Sequence, residues 1–198
     1  EKHGKLTVGF GSLVRGTKIG PEYTFGIYMH KCLDEPVLLI KTAWGGKSLN
    51  TDFRPPSAGP YKWNPKIAAN IDDDKKEKKK KNTGKYYHLM VDYVNKVLAD
   101  PGKVHPAYDE DEGYEIAGFV WFQGFNDMVD SWTYPNRTKP DGYKLYTELL
   151  GHFIRDVRKD LNAPDMPFVI GVLGIDGIPT KESEAKRPSR YRGIAPNI

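Results

Sequence analysis

Two glycine-bearing motifs hold the residue types that could do chemistry. Lys41-Thr42-Ala43-Trp44-Gly45-Gly46-Lys47-Ser48 follows a run of aliphatic residues, and Gln123-Gly124-Phe125-Asn126-Asp127 follows a second apolar run. A main-chain N–H at a glycine can approach a ligand closely because no Cβ stands in the way. The side-chain amide of Asn126 is a second neutral donor. Two such donors converging on one point would form a hole for an oxygen that turns negative in a transition state. On either motif alone the plainer reading is a tight turn, because Gly, Asn and Asp are common turn residues. Gly46-Lys47-Ser48 also suggests a phosphate-binding loop. That loop needs a further glycine where this chain has Lys41, so nucleotide binding is set aside.

The elements around the motifs should place both at one edge of a sheet. Gly20-Pro21-Glu22 opens a helix over 23–33, with proline in its first turn and Glu22 beside the helix N-terminus, and Asp34-Glu35-Pro36 closes it. Val37-Leu38-Leu39-Ile40 has the continuous apolar pattern of a strand buried on both faces. Further strands are predicted at 116–122 and 168–173, and crossover helices at 86–98 and 143–161. This alternation predicts one α/β domain over 1–198, a doubly wound parallel sheet in three layers. Ligands bind such sheets beyond the carboxyl ends of the strands, where Gly45, Gly46 and Asn126 fall. Residues 50–83, rich in Pro, Gly, Asn and charge, read as a long surface excursion over that edge, anchored by Phe53, Tyr61 and Trp63.

Charge is concentrated in that excursion. Residues 75–81 hold six lysines and one glutamate, which exceeds the whole chain's net charge of +4. No aromatic residue interleaves these lysines, so a solvated surface loop is expected rather than a nucleic-acid site. The single cysteine, Cys32, excludes an intramolecular disulfide and is expected as a buried thiol on the first helix. No apolar run approaches a membrane span. No His, Cys and carboxylate cluster has metal-ligand spacing, so no cofactor is expected.

The motifs together resemble a known family. The blocks at 41–49 (ending in Leu49) and 121–127 (opening Trp121-Phe122) resemble the second and third conserved blocks of the SGNH hydrolases, in the branch of sialate O-acetylesterases and acetylxylan esterases. Gly20-Pro21-Glu22 with Phe25-Gly26, and the stretch 167–171, resemble the same branch, so the similarity runs over about residues 8–177. It implies a flavodoxin-like sheet and hydrolysis of acetyl esters on sugars by a serine nucleophile and a histidine base. It further implies oxyanion donors at Gly45 or Gly46 and at Asn126, with Trp44, Gln123 and Asp127 toward the substrate, and an extracytoplasmic or secreted location.

Three departures qualify this resemblance. The family's nucleophile block, G-x-S on the first strand, and its D-x-x-H block near the C-terminus are not found, so the chain is expected to be an internal fragment without nucleophile or base. Ser12, in Gly9-Phe10-Gly11-Ser12, imitates the former but lies in the stretch leading to Gly20-Pro21-Glu22; none of His3, His30, His88, His105 and His152 has Asp three residues before it. Phe125 stands where many relatives carry a glutamate. The rival reading is a carbohydrate-binding relative that has lost catalysis, with Trp44, Phe53, Trp63 and Trp132 stacking on sugars.

Overall fold

Among the described residues, helices and two short strands make a mixed α/β chain. The computed structural model describes residues 2–11, 18–173, 180–187 and 194. Two compact units are described in turn: Glu1–Ala43 with Asp92–Tyr114, and Trp44–Val91 with Glu115–Ile198.

In the first unit, helix α1 (Pro21–Cys32) starts at Pro21 with Glu22 in its first turn and ends with His30 and Lys31 in its last, as the dipole favours. Gly26 is its one buried residue, because a Cβ there would run into Leu6 and Leu39. Glu22 pairs with Lys41 at 2.9 Å, and the Lys41 ammonium also donates to the Phe10 carbonyl at 2.9 Å. Two expectations fail here. Val37–Ile40 forms no strand, since among the described residues no segment is hydrogen-bonded to its main chain, and the run is only half-buried. Cys32 is exposed, because the last turn of α1 buries nothing.

The second unit holds the sheet. Strand β1 (Phe119–Trp121) pairs in parallel with β2 (Phe168–Ile170), Phe119 opposite Phe168 and Trp121 opposite Ile170. Between them run the short helix α5 (Phe125–Val129) and the long helix α6 (Lys144–Asp160). Both strands are shorter than the apolar runs predicted. The faces alternate with the strand period: Phe119 and Trp121 turn to α6, whereas Val120 and Val169 are 49% and 58% exposed. Phe153 of α6 is fully buried at the centre of an aromatic cluster, 4.3 Å from the Trp121 ring, 5.6 Å from Tyr87 and 6.0 Å from Phe119. Tyr87 comes from helix α4 (Lys85–Leu98), which also buries Met90 and Val91. The Tyr87 hydroxyl donates to Asp160 at 2.7 Å, so the polar end of a buried ring is satisfied.

The stretch read as a surface excursion is largely interior at its start. Leu49, Asn50, Thr51, Phe53, Arg54 and Pro55 are buried. Arg54 holds this loop from inside: its guanidinium donates to the carbonyls of Gly59, Ala58 and Asn50 and to the Asn50 side chain. After a short helix α2 (Pro65–Ala68), the lysine run forms helix α3 (Asp73–Asn82) rather than a loop. Lys and Glu are strong helix formers, and the ends match the dipole. Asp72 caps the first turn by accepting from the Lys75 N–H, Asp73 and Asp74 follow it, and Lys79, Lys80 and Lys81 occupy the last turn. Helix α7 (Lys181–Lys186) is opened by a Thr180–Ser183 capping box. Among the described residues, no helix is long and apolar enough to cross a membrane.

Candidate active site

Strand β1 delivers the second motif directly into α5. Gly124 caps that helix at a point where a Cβ would press on the Leu173 side chain, so the helix starts tight against the chain beyond β2. Asn126 and Asp127 thereby fall in the first turn of α5 but face different ways. Asn126 is half-buried and its Nδ2 donates to the main-chain carbonyl of Lys47 at 3.0 Å. Gln123 Nε2 donates to that same carbonyl at 3.0 Å and to Asp127 Oδ2 at 2.8 Å. The Tyr146 hydroxyl fixes the other end of Gln123, donating to its main-chain carbonyl at 2.8 Å, with Oε1 at 3.2 Å, and itself accepts from the Trp121 indole at 3.1 Å. Burial pushes the Tyr146 hydroxyl up to about 12, so it acts as a neutral donor.

Asp127 corrects an expectation. Rather than facing substrate, its side chain is completely buried. The carboxylate accepts from the Leu49 N–H at 2.7 Å, Gln123 Nε2 at 2.8 Å, the Tyr134 hydroxyl at 3.0 Å and the Asn50 N–H at 3.2 Å. Burial raises its pKa and the four hydrogen bonds lower it, with burial the larger effect. Tyr134 is pushed up in turn, by burial first and then by facing this carboxylate. Asp127 therefore holds the loop after the glycine pair against α5. Sequence spacing showed an acid next to Asn126 but not that its partners lie at Leu49 and Asn50.

A cleft of about 240 Å³ opens beside this junction, lined by Trp44, Lys47, Phe53, Gln123, Phe125 and Asn126 among others. Three of the residues expected at the site, Trp44, Gln123 and Asn126, thus come together. Gly45 and Gly46 do not line the cleft; they form an exposed turn next to it. Gly46 has φ of 71°, a left-handed conformation that favours glycine, while nothing lies within 4 Å of where either Cβ would be. Their absent side chains serve the turn rather than a crowded contact. Trp44 packs edge-on against Tyr86 at 5.2 Å and tilted against Phe53 at 6.1 Å. Of the proposed sugar-stacking aromatics, Phe53 is 5% exposed and belongs to the core, whereas Trp132 is 66% exposed and lies outside this cleft.

Lys47 also lines the cleft, a place that the sequence did not assign to it. Its ammonium lies 4.1 Å over the Tyr86 ring and 3.7 Å from Asp52. The Tyr86 hydroxyl, foremost, and Asp52 raise its pKa against the opposing effect of burial, so the cation is retained. The signal was its place directly after the glycine pair.

Among the described residues lining the cleft there is no serine and no histidine. Ser12 lies outside the described residues. A serine and a histidine do meet elsewhere: Ser57 Oγ is 2.8 Å from His152 Nδ1. The nearby Asp156 accepts from the Ser57 N–H at 2.8 Å, which spends that oxygen on the loop backbone, and neither Ser57 nor His152 lines the cleft. Among the described residues no group of three or more His, Cys, Asp and Glu side chains could hold a metal ion.

Comparison with curated proteins and with solved structures gives no match. Comparison with protein families matches residues 6–195 to the carbohydrate esterases described as sialic acid-specific acetylesterases. That match takes in both glycine motifs, which the structure joins through the Lys47 carbonyl, and it spans nearly the whole sequence. The chain belongs to the sialic acid-specific acetylesterase family of carbohydrate esterases.

Proposed function

We propose that this chain carries the oxyanion-stabilising part of an SGNH-type acetylesterase site that cleaves acetyl esters on sugars. The observation that supports it best is the junction of Asn126 with the turn after Gly45-Gly46. One Nδ2 hydrogen holds the Lys47 carbonyl at 3.0 Å, and the second is left for an oxygen in the cleft. Attack on an acetyl carbonyl would put negative charge on that oxygen, and a donor held in place beforehand lowers the barrier. A main-chain N–H of Gly45 or Gly46, in the turn beside the cleft, supplies the companion donor, Trp44 and Phe125 the apolar wall, and Lys47 a cation at the rim. Phe125 in place of a glutamate leaves orientation of the base to another group.

The parallel β1–α6–β2 crossover and the family match across both units support a single doubly wound domain of three layers. The serine and histidine that would complete acyl transfer are not among the cleft's described residues, so residues 1–198 alone are proposed to bind ester without turning it over. Titration with an O-acetylated sialic acid, followed by amide NMR, tests the reading. The Asn126 side-chain amide and the Gly45 and Gly46 N–H resonances should shift together. Shifts confined to other regions would refute it.

A further inference from the structure

A second cleft, of about 390 Å³, lies in the same unit and shares no residue with the first. Its wall is the loop that Arg54 braces from inside, with Pro55, Pro56 and Pro60 facing the space. That loop is fixed before any ligand arrives, which reduces the ordering cost of binding. The aromatic pair Tyr61 and Trp63 also lines the cleft, edge to face at 5.0 Å. Lys76 and Lys80 of α3 line it as well. They are one turn apart on one helix face. The Lys79 ammonium lies 4.7 Å over the Tyr61 ring, so the basic helix and the aromatic pair are held against each other.

Sequence order hides this arrangement, because the aromatics precede the lysines rather than interleaving them. Folding brings them to one concave surface. We propose that this cleft binds a carboxylate-bearing saccharide, separately from the acetylesterase site. Proline and aromatic surfaces suit the C–H faces of a sugar ring, and the paired ammonium groups suit an acidic substituent. Glu77 also faces the cleft and lies 3.7 Å from Lys80, and Asp73 lies 3.0 Å from Lys76; both are exposed ion pairs within one helix, worth little in water, so an acidic ligand group can share both ammonium groups. A nucleic acid would need successive stacking faces and a basic track, whereas this cleft offers one aromatic pair and includes a carboxylate. The choice of a saccharide rests on the carbohydrate-esterase reading; the basic, aromatic cleft does not.

Calorimetric titration of residues 1–198 with an oligogalacturonate, a neutral xylo-oligosaccharide of equal length and oligo(dT) decides the matter. Oligogalacturonate should bind, more weakly as salt rises. Trp63→Ala and the double variant Lys76→Gln with Lys80→Gln should each weaken binding about tenfold or more. Asn126→Ala should leave it unchanged, which separates this site from the active site. Circular dichroism melts check that the variants fold, and chemical-shift mapping on the unaltered protein should place the ligand at Tyr61 and Trp63. No binding, equal binding of the neutral sugar, tighter binding of oligo(dT), or shifts centred on Asn126 would each overturn the proposal.

Discussion

Asn126 and Lys47, 79 residues apart in the chain, are joined by a 3.0 Å hydrogen bond from a side-chain amide to a main-chain carbonyl. The bond sets the rotamer of Asn126 and the peptide plane after the glycine turn at once. In an active form of the protein, Asn126→Ala should lower kcat by about 10²–10³ with little change in KM, the loss expected of one preorganised donor. Asn126→Asp should be at least as damaging, since it puts a negative charge where another must form. Steady-state kinetics on an acetylated sugar measure both; a kcat within about threefold of the parent would remove Asn126 from the reaction.

The two glycines should separate by substitution. Gly46→Ala forces a left-handed residue to carry a side chain and should cost about 1 kcal/mol of stability. Gly45→Ala has open space around its Cβ and should cost little. If Gly45→Ala nevertheless lowers kcat in an active form, substrate approaches this turn closely enough for a Cβ to obstruct it. Denaturant melts alongside kinetics give the comparison.

Asp127 makes stability depend on pH in an uncommon direction for an acid. Its folded pKa is raised, so the folded protein holds the proton more tightly than the unfolded chain. The resulting stabilisation is complete below the unfolded carboxyl pKa and is lost as pH rises through the folded one. Asp127→Asn should remove that slope. It should also lower stability by about 1–3 kcal/mol, because an amide cannot accept from all four donors. Urea melts across acidic pH should show the parent losing stability relative to the variant as pH rises.

Ser57 and His152 should prove to be a structural contact. Residues 1–198 should release p-nitrophenol from p-nitrophenyl acetate no faster than their Ser57→Ala or Ser12→Ala variants. Turnover abolished by Ser57→Ala would make that pair a hydrolytic centre and displace the cleft at Asn126.

Helices were the most legible part of the sequence. α1, α4 and α6 lie within a residue or two of the predicted spans: buried apolar stripes decide α4 and α6, and the proline at its start with Asp34-Glu35-Pro36 beyond its end bound α1. Strands were legible in place but not in extent: β1 and β2 are paired only where a neighbour exists, and Val37–Ile40, with none among the described residues, stays unpaired. The lysine run misled because charge was read as loop, although capping and propensity both favour a helix. In the site, Trp44, Gln123 and Asn126 of the two motifs line one cleft. What spacing could not reveal was depth. Asp127 and Asn126 are adjacent, yet one is sealed and the other faces the opening.

The Asp127 carboxylate has a consequence for how the molecule breathes. The Leu49 and Asn50 amides lie in no helix or strand and would ordinarily exchange with solvent deuterium within moments of exposure. Anchored to a sealed acid, they can open only if that acid is uncovered together with Tyr134 and Gln123. Their exchange should track that of the core amides around Phe153, so this loop opens with its unit's core rather than ahead of it.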